Sequence, residues 1–320
     1  MLTHSRGAPL PAGVLRWLVD VSTWEPKQAE WELLLETLPS ECRKRVMAFK
    51  FKPDQKRALV SRLLQRRASA EVMGIPQSAV KIERTKGGKP YLASRPRTAH
   101  GAASNVLNWN FNVSHEGHFV ALAAEPVLLC GIDIAAPELV RSGSQRNLEE
   151  RFELMSNQFT PHEWRTIRAC GPDEAQMEAM LRKHWSLKEA YTKGRGDGIA
   201  FGLQNCEFHF DGAQVAAVSD GGASGVERAS VVVGGRELPS WRFYLQPLPD
   251  NHWISVARGP PSDVVDHLGA FKATFQQLNP PAADVVAHLS RPEPPFQTKR
   301  VRDLVPQEHL SRYLAAQQLD

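Results

Sequence analysis

Cysteine is scarce in this chain: four in 320 residues, at positions 42, 130, 170 and 206, with no CxxC pair among them. That excludes a zinc ribbon and a dithiol redox centre of the usual spacing. It also suits a reducing compartment, so the expectation is a cytosolic protein. Long apolar runs are missing too. The most apolar window, 119–136, is broken by Glu125, Pro126 and Asp133, whereas a membrane-spanning helix needs about 20 predominantly apolar residues. A signal-peptide core is absent, because Pro9, Pro11 and Gly13 interrupt the N-terminus, while the lack of acidic residues before Asp20 leaves a transit peptide open. Without a secretory signal the sequon Asn112-Val113-Ser114 goes unread. Charge of one sign is not in large excess: 39 Lys and Arg against 35 Asp and Glu give +4. So mild a surplus does not argue for nucleic acid, yet it suits a small anion. A Walker loop is absent, a kinase catalytic loop is absent, and no GxSxG elbow surrounds Ser114.

What is present is an ordinary globular mixture, 42% apolar and 23% charged. The length suits one large domain or two halves of ordinary size, with core enough to need no staples. Residues 14–21 alternate, with Leu15, Trp17, Val19 and Val21 on one face, as in a half-buried strand. Helical spacing follows over 27–38, and a second helix is predicted to start near Ser40. A third, capped by Asp54, runs to about Met73; it carries the apolar pairs Leu59/Leu63 and Val60/Leu64 and a cationic pair, Arg62/Arg66. A strand over 79–84 leads into a basic turn, and 93–108 reads as loop. Strands are predicted over 109–114, 119–124 and 127–134, with a polar connection over 137–150. Helices are expected at 161–169, capped by Thr160, and at 173–193, stopped by Gly194 and Gly196. Strands resume at 206–210, 230–233, 240–246 and 252–257, with glycine turns at 221–225 and 234–235. Residues 117–126 echo 251–260 in a histidine, an alanine, a proline and the apolar alternation, which hints at a duplicated half. Paired prolines punctuate the chain after 260 and predict an appended tail with short helices.

Four constellations could carry chemistry. In Trp185-Ser186-Leu187-Lys188-Glu189-Ala190-Tyr191-Thr192-Lys193, helical spacing puts Leu181, Trp185, Glu189 and Lys193 on one line. The plain reading is an ion pair at a core rim; the sharper one is a half-buried carboxylate meant for a metal. In Gly131-Ile132-Asp133-Ile134 an aspartate sits inside an apolar strand, where a bare carboxylate costs several kcal/mol. It therefore calls for a cation, either a basic side chain or a bound Mg²⁺. Asn112-Val113-Ser114-His115 runs from a strand end toward a turn and offers donors that suit a phosphate, or simply a turn cap. Arg45, Arg62, Arg66 and Arg84-Thr85-Lys86-Gly87-Gly88-Lys89-Pro90 are basic, with a Gly-Gly pair that permits close backbone approach; alone this reads equally as a solvated hairpin.

Taken together and in this order, the motifs resemble the 4′-phosphopantetheinyl transferases, in particular the long, Sfp-type group and its eukaryotic members. The resemblance covers about 14–260, with the Trp24…Trp31 opening. It implies an α+β fold of two similar half-domains related by a pseudo-two-fold axis, with the active site in the cleft between them. The expected division is a flexible N-terminus at 1–13, an N-terminal half at 14–130, a C-terminal half at 131–260 and a Pro-rich tail at 261–320. The implied activity is Mg²⁺-dependent transfer of the 4′-phosphopantetheine arm of coenzyme A to a serine of an apo acyl or peptidyl carrier protein, leaving adenosine 3′,5′-bisphosphate.

By motif position, Asp133 and Glu189 resemble the family's magnesium ligands, and hard oxygen donors suit that ion. Glu189 doubles as general base, and Lys193 grips the diphosphate. Ser114 and His115, with Asn112 and Val113, match the 3′-phosphate contacts. Arg45, Arg84, Thr85, Lys86, Gly87, Gly88 and Lys89 match the nucleotide and phosphate seat. Many bacterial members read Asp-x-Glu where this chain has Asp133-Ile134-Ala135, so water is expected in place of one ligand. The alternative is a non-catalytic module that binds coenzyme A or a carrier domain. It could dispense with Asp133, Glu189 or Lys193, and all three are present. Coenzyme A and carrier domains are the expected partners, with no nucleic acid and no membrane, and the protein is expected to be a monomer. The choice of carrier, the acceptance of acyl-coenzyme A, the role of the tail and the role of Lys188 stay open.

Overall fold

The structure, a computed structural model, describes residues 11–93, 106–137, 147–211 and 225–318. Much of the expected loop at 93–108, of the connection at 137–150 and of the glycine turn at 221–225 lies outside these residues, as do positions 1–10.

The chain opens with β1 (Leu15–Asp20), then α1 (Gln28–Glu36), α2 (Ser40–Met47) and α3 (Lys52–Met73). Ser40 is the first residue of α2 rather than its cap, since Pro39 supplies the extended entry. Asp54 likewise lies within the first turn of α3, where Phe51 is the cap and Pro53 pre-sets φ. A short hairpin follows, β2 (Ile82–Arg84) and β3 (Pro90–Leu92), then β4 (Asn110–Glu116) and β5 (Phe119–Glu125). Strand β5 is buried along its whole length, because it is central, between β1 and β4. The apolar face of β4 packs Trp109, Phe111 and Val113 into a core with Trp17, Leu59, Leu63 and Leu64.

The second half holds β6 (Leu129–Ala135), α4 (Leu148–Leu154), α5 (Pro161–Arg168), α6 (Glu174–Arg195), β7 (Cys206–Phe210), β8 (Glu227–Val233), β9 (Arg236–Glu237), β10 (Arg242–Leu248) and β11 (His252–Gly259). Its sheet runs β6-β11-β10-β8-β7, with β9 paired to β8. Thr160 caps α5 in a full capping box with Glu163. Helix α6 starts at an Asp173 cap and runs through Gly194 to Arg195, ending at Gly196 with φ +102°. Gly194 does not stop the helix. It pairs with Gly131 at a close helix–strand crossing, where a Cβ on Gly131 would lie 1.9 Å from the Ala190 carbonyl oxygen. That crossing lays α6 onto β6.

The two sheets face each other through Phe119, Ala121 and Ala123 of β5 and Cys130, Ile132, Ile134, Ile254 and Val256 of β6 and β11. The echoed segments are equivalent interior strands, β5 and β11, and their histidines meet, His118 and His252 having ring centroids 5.2 Å apart. The polar face of β4 makes a second joint. Asn110, Asn112, Ser114 and Glu116 accept the backbone N–H groups of Cys130, Ile132, Ile134 and Ala136 in turn. Four side chains thus stand in for a strand partner.

The segment after 260 carries α7 (Ala282–Leu289), β12 (Gln297–Thr298) and α8 (Leu310–Ala316). It packs against both halves: Val264, Phe271 and Phe275 join the core of the second, while β12 pairs in parallel with β1, and Val301, Leu304, Val305, Tyr313 and Ala316 join the first core. Buried Glu293 pairs with Arg16 of β1 and lies 3.6 Å from Arg258 of β11, so one tail carboxylate spans both sheets.

Candidate active site

Helix α6, held close by its glycine crossing, brings Glu189 and Lys193 over Asp133 of β6. The Lys193 ammonium lies 2.5 Å from Asp133 Oδ1 and 3.7 Å from Glu189 Oε2, bridging the two carboxylates. Ser114 donates its hydroxyl to the same Oδ1 at 3.0 Å. Asp133 Oδ2 is buried with no hydrogen-bond partner among the described residues. An unpaired anionic oxygen in the interior is costly. Its natural complement is a hard cation, and Asp133 with Glu189 offers the oxygen donors Mg²⁺ takes.

Electrostatics agree with a shared cation site. Burial pushes the Asp133 carboxyl upward, against the pull of Lys193 and Ser114. Burial raises Glu189 as well, and Asp133 adds to it, which makes Glu189 a stronger base than a free glutamate. Burial pulls Lys193 down, but Asp133 and Glu189, with a smaller contribution from Glu116, outweigh it and hold the ammonium above its ordinary value. Glu116 was missed as a member of this group. Its signal was its place on the polar face of β4.

Lys193 and Thr192 line a cavity of about 290 Å³ together with Phe49, Arg62, Arg84, Gly87, Gly88, Lys89, Asn112, Val113 and His115. A second, wider cavity of about 520 Å³ shares Arg62 and Arg84 and adds Arg45, Cys42 and Arg66. Volumes in this range accommodate cofactor-sized ligands. Burial, then the charge of Arg84 and Arg45, lowers the Arg62 pKa, and Arg84 is depressed by burial and by Arg45. None of these three arginines has a carboxylate partner among the described residues. Three mutually repelling guanidinium groups around a cavity form an anion seat. His115 stands exposed at the rim, and its pKa is lowered by desolvation first and then by the charges of Arg57, Lys193 and Arg62.

The sequence-predicted residues divide. Asp133, Glu189 and Lys193 come together, and Arg45, Arg84, Gly87, Gly88, Val113 and His115 lie along the cavities. Lys89 lines the first cavity, but its buried ammonium donates to the carbonyls of Cys130 and Lys193, and burial lowers its pKa to about 8. Thr85 closes the turn, accepting the Lys89 N–H through its hydroxyl. Gly87 is a glycine because the tip abuts α6: a Cβ there would lie 2.4 Å from the Gly196 carbonyl oxygen. Lys86 is exposed and lines neither cavity. Asn112 and Ser114 spend their oxygens on β6 and Asp133, while Asn112, Val113 and His115 all line the first cavity. Arg62 lines both cavities, whereas the Arg66 guanidinium is buried and bound to the Val80 and Gln77 carbonyls.

Comparison with known proteins gives two adjoining matches. Residues 22–127 match the family described as 4′-phosphopantetheinyl transferase, N-terminal, and residues 129–257 match the 4′-phosphopantetheinyl transferase superfamily. The two matches meet where the chain passes from β5 to β6. The L-aminoadipate-semialdehyde dehydrogenase-phosphopantetheinyl transferase of Xenopus laevis is 36% identical over 256 residues, covering 80% of this chain and 78% of that protein. The human protein of the same name is 34% identical over 252 residues, 77% and 75% of the two chains. A 4′-phosphopantetheinyl transferase of Bacillus subtilis is 27% identical over 176 residues, 55% and 68% of the two chains.

Proposed function

The chain belongs to the 4′-phosphopantetheinyl transferase superfamily and is a transferase of the phosphopantetheine group from coenzyme A to carrier proteins; from that premise we propose how its own residues do the work. Coenzyme A lies along the two arginine-lined cavities, with its 3′-phosphate near His115 and Arg62 and its nucleotide toward Arg45 and Arg84. The diphosphate reaches Lys193. Asp133 and Glu189 hold Mg²⁺, which, when bound, offsets the charge of the diphosphate oxygens. Glu189 accepts the proton of the incoming serine hydroxyl, for which its raised basicity suits it. Lys193, whose ammonium stands at the cleft beside both carboxylates, would offset charge on the leaving bisphosphate. Ser114 and Ser186 orient Asp133 by its side chain and its backbone carbonyl, at 3.0 and 3.2 Å.

One observation carries the metal assignment: the buried, partnerless Oδ2 of Asp133 beside Glu189 and Lys193. The test is intact-mass analysis of an apo carrier protein incubated with coenzyme A across a Mg²⁺ titration. Asp133→Ala should raise the Mg²⁺ requirement at least about tenfold, the scale of losing an oriented ligand. An unchanged titration curve would move Asp133 to a purely structural role. We further propose that the enzyme is a monomer in the cytosol. The four thiols are free, Cys130 and Cys206 being buried, as a reducing compartment favours.

A further inference from the structure

On the outer edge of the second half, away from every residue assigned to the cleft, three metal-type donors converge. Glu207 and His209 stand two apart on β7, hence on the same face, and His162 reaches them from the first turn of α5. Their donor atoms lie within 4.8 Å of one another. The His209 imidazole is 2.9 Å from the Glu207 carboxylate, and the rings of His162 and His209 stack with centroids 4.2 Å apart. All three are partly exposed, so an ion can reach them from solvent.

We propose that His162, Glu207 and His209 form a binding site for a divalent transition metal of the zinc class, separate from the magnesium-type carboxylates of the cleft. The donor set decides the ion. Two imidazole nitrogens and one carboxylate suit Zn²⁺, Ni²⁺ or Cu²⁺ and are poor ligands for Mg²⁺. In a tetrahedral site with bonds of about 2.0–2.1 Å, neighbouring ligand atoms stand about 3.3 Å apart. The Glu207–His209 pair is already near that spacing, and His162, within 4.8 Å of the others, closes the set by a side-chain movement of at most about 1.5 Å. Fewer than four protein ligands leave the site open to water.

The place of the site gives it a consequence. Residue 163, next to His162, is the glutamate that accepts the Phe208 N–H from the edge strand β7 through Oε1. A metal held by His162 on α5 and by Glu207 and His209 on β7 ties the same two elements from outside. Binding therefore stabilises the second half without entering the cleft.

The experiment is calorimetric titration of the full-length protein with Zn²⁺ in excess Mg²⁺ and a weakly coordinating buffer, paired with thermal unfolding. The wild type should show saturable Zn²⁺ binding and a higher Tm with the metal. His209→Ala and His162→Ala should each weaken binding at least tenfold and abolish the Tm shift, while Glu189→Gln should leave both intact. These side chains are partly exposed, so the variants fold, and their metal-free Tm checks it. Saturable binding that survives in the His162→Ala/His209→Ala double variant, or is lost in Glu189→Gln, places the ion elsewhere and overturns the proposal. So does the absence of saturable binding to the wild type. The outcome is independent of transferase activity, so it stands or falls separately from the cleft assignment.

Discussion

Two of the lysine–carboxylate pairs on helix α6 differ in how completely they are satisfied. Lys188 is fully buried, 2.7 Å from Glu163, and also donates to the carbonyls of Leu203 and Cys206. Glu163 in turn accepts the Thr160 and Phe208 N–H groups. Lys188 and Glu163 thus have every polar atom engaged, while the buried ring nitrogens of His184 beside them find no hydrogen-bond partner among the described residues. Lys193 and Asp133, little more than a turn further along, sit at the cleft with one carboxylate oxygen unpaired. The saturated pair fastens α5 and β7 to α6, and the unsaturated pair waits for ligands. Buried polar networks that are closed hold structure together; function lies where the network is left open.

The contrast can be broken by substitution, and the largest expected effect is on rate. Glu189→Gln keeps the shape but removes the base and an anionic ligand. Transfer should fall by ~10²–10⁴-fold for the base alone, with coenzyme A still bound by calorimetry and Tm little changed. Turnover at the wild-type rate would end the assignment. Lys188→Met should do the opposite. It strands Glu163 in the interior, at a cost of about 3–5 kcal/mol in denaturant unfolding, while the folded fraction keeps its affinity for coenzyme A. Adding Glu163→Leu should recover part of that loss, since no charge is then left alone. If Lys188→Met slows transfer without loss of stability, the two pairs have been assigned the wrong way round.

A smaller effect sharpens the picture of the open end. His115→Ala should narrow the preference for coenzyme A over its 3′-dephospho form, about tenfold in kcat/KM or ~1.4 kcal/mol. The loss should fall on coenzyme A; equal slowing of both substrates would give His115 a role in the chemistry or the fold.

The smallest concerns pH and the closed end. Burial lowers the pKa of His184, beside Glu163 and Lys188. The folded state therefore resists a proton that the unfolded chain takes up near pH 6.5. Stability is present above that value and declines as pH falls below it, by at most ~1.4 kcal/mol per pH unit for one group. His184→Gln should flatten the acid limb of the Tm–pH curve, and an identical slope would remove His184 as its source.

Much of this was legible in the chain. The alternation of 109–114 placed Trp109 and Phe111 inward and Asn110, Asn112 and Ser114 on the other face. The line from Leu181 to Lys193 set Glu189 and Lys193 together. What that polar face meets was not legible, because the N–H groups of β6 reach it only through long-range packing. Arg62 and Arg66 share a stripe at helical spacing, yet Arg62 lines both cavities while Arg66 lines only the wider one and is tied to the Val80 and Gln77 carbonyls; local periodicity cannot separate them. Lys89 beside Gly88 read as ligand-binding until the hairpin closed on α6. Gly194 read as a helix stop, whereas its contact with Gly131 made it a point of close approach.

The tail has a mechanical consequence. The polypeptide passes between the two sheets once after β5 and returns after β11, so the halves are fastened at both margins, with Glu293 as a rivet between Arg16 and Arg258. A body hinged along one margin swings open like a book; one fastened along both behaves as a vice with fixed jaws. The expected consequence is that admission of a long nucleotide depends on side chains along the slot shifting aside, with the gap between the jaws unchanged when solution scattering is compared with and without coenzyme A.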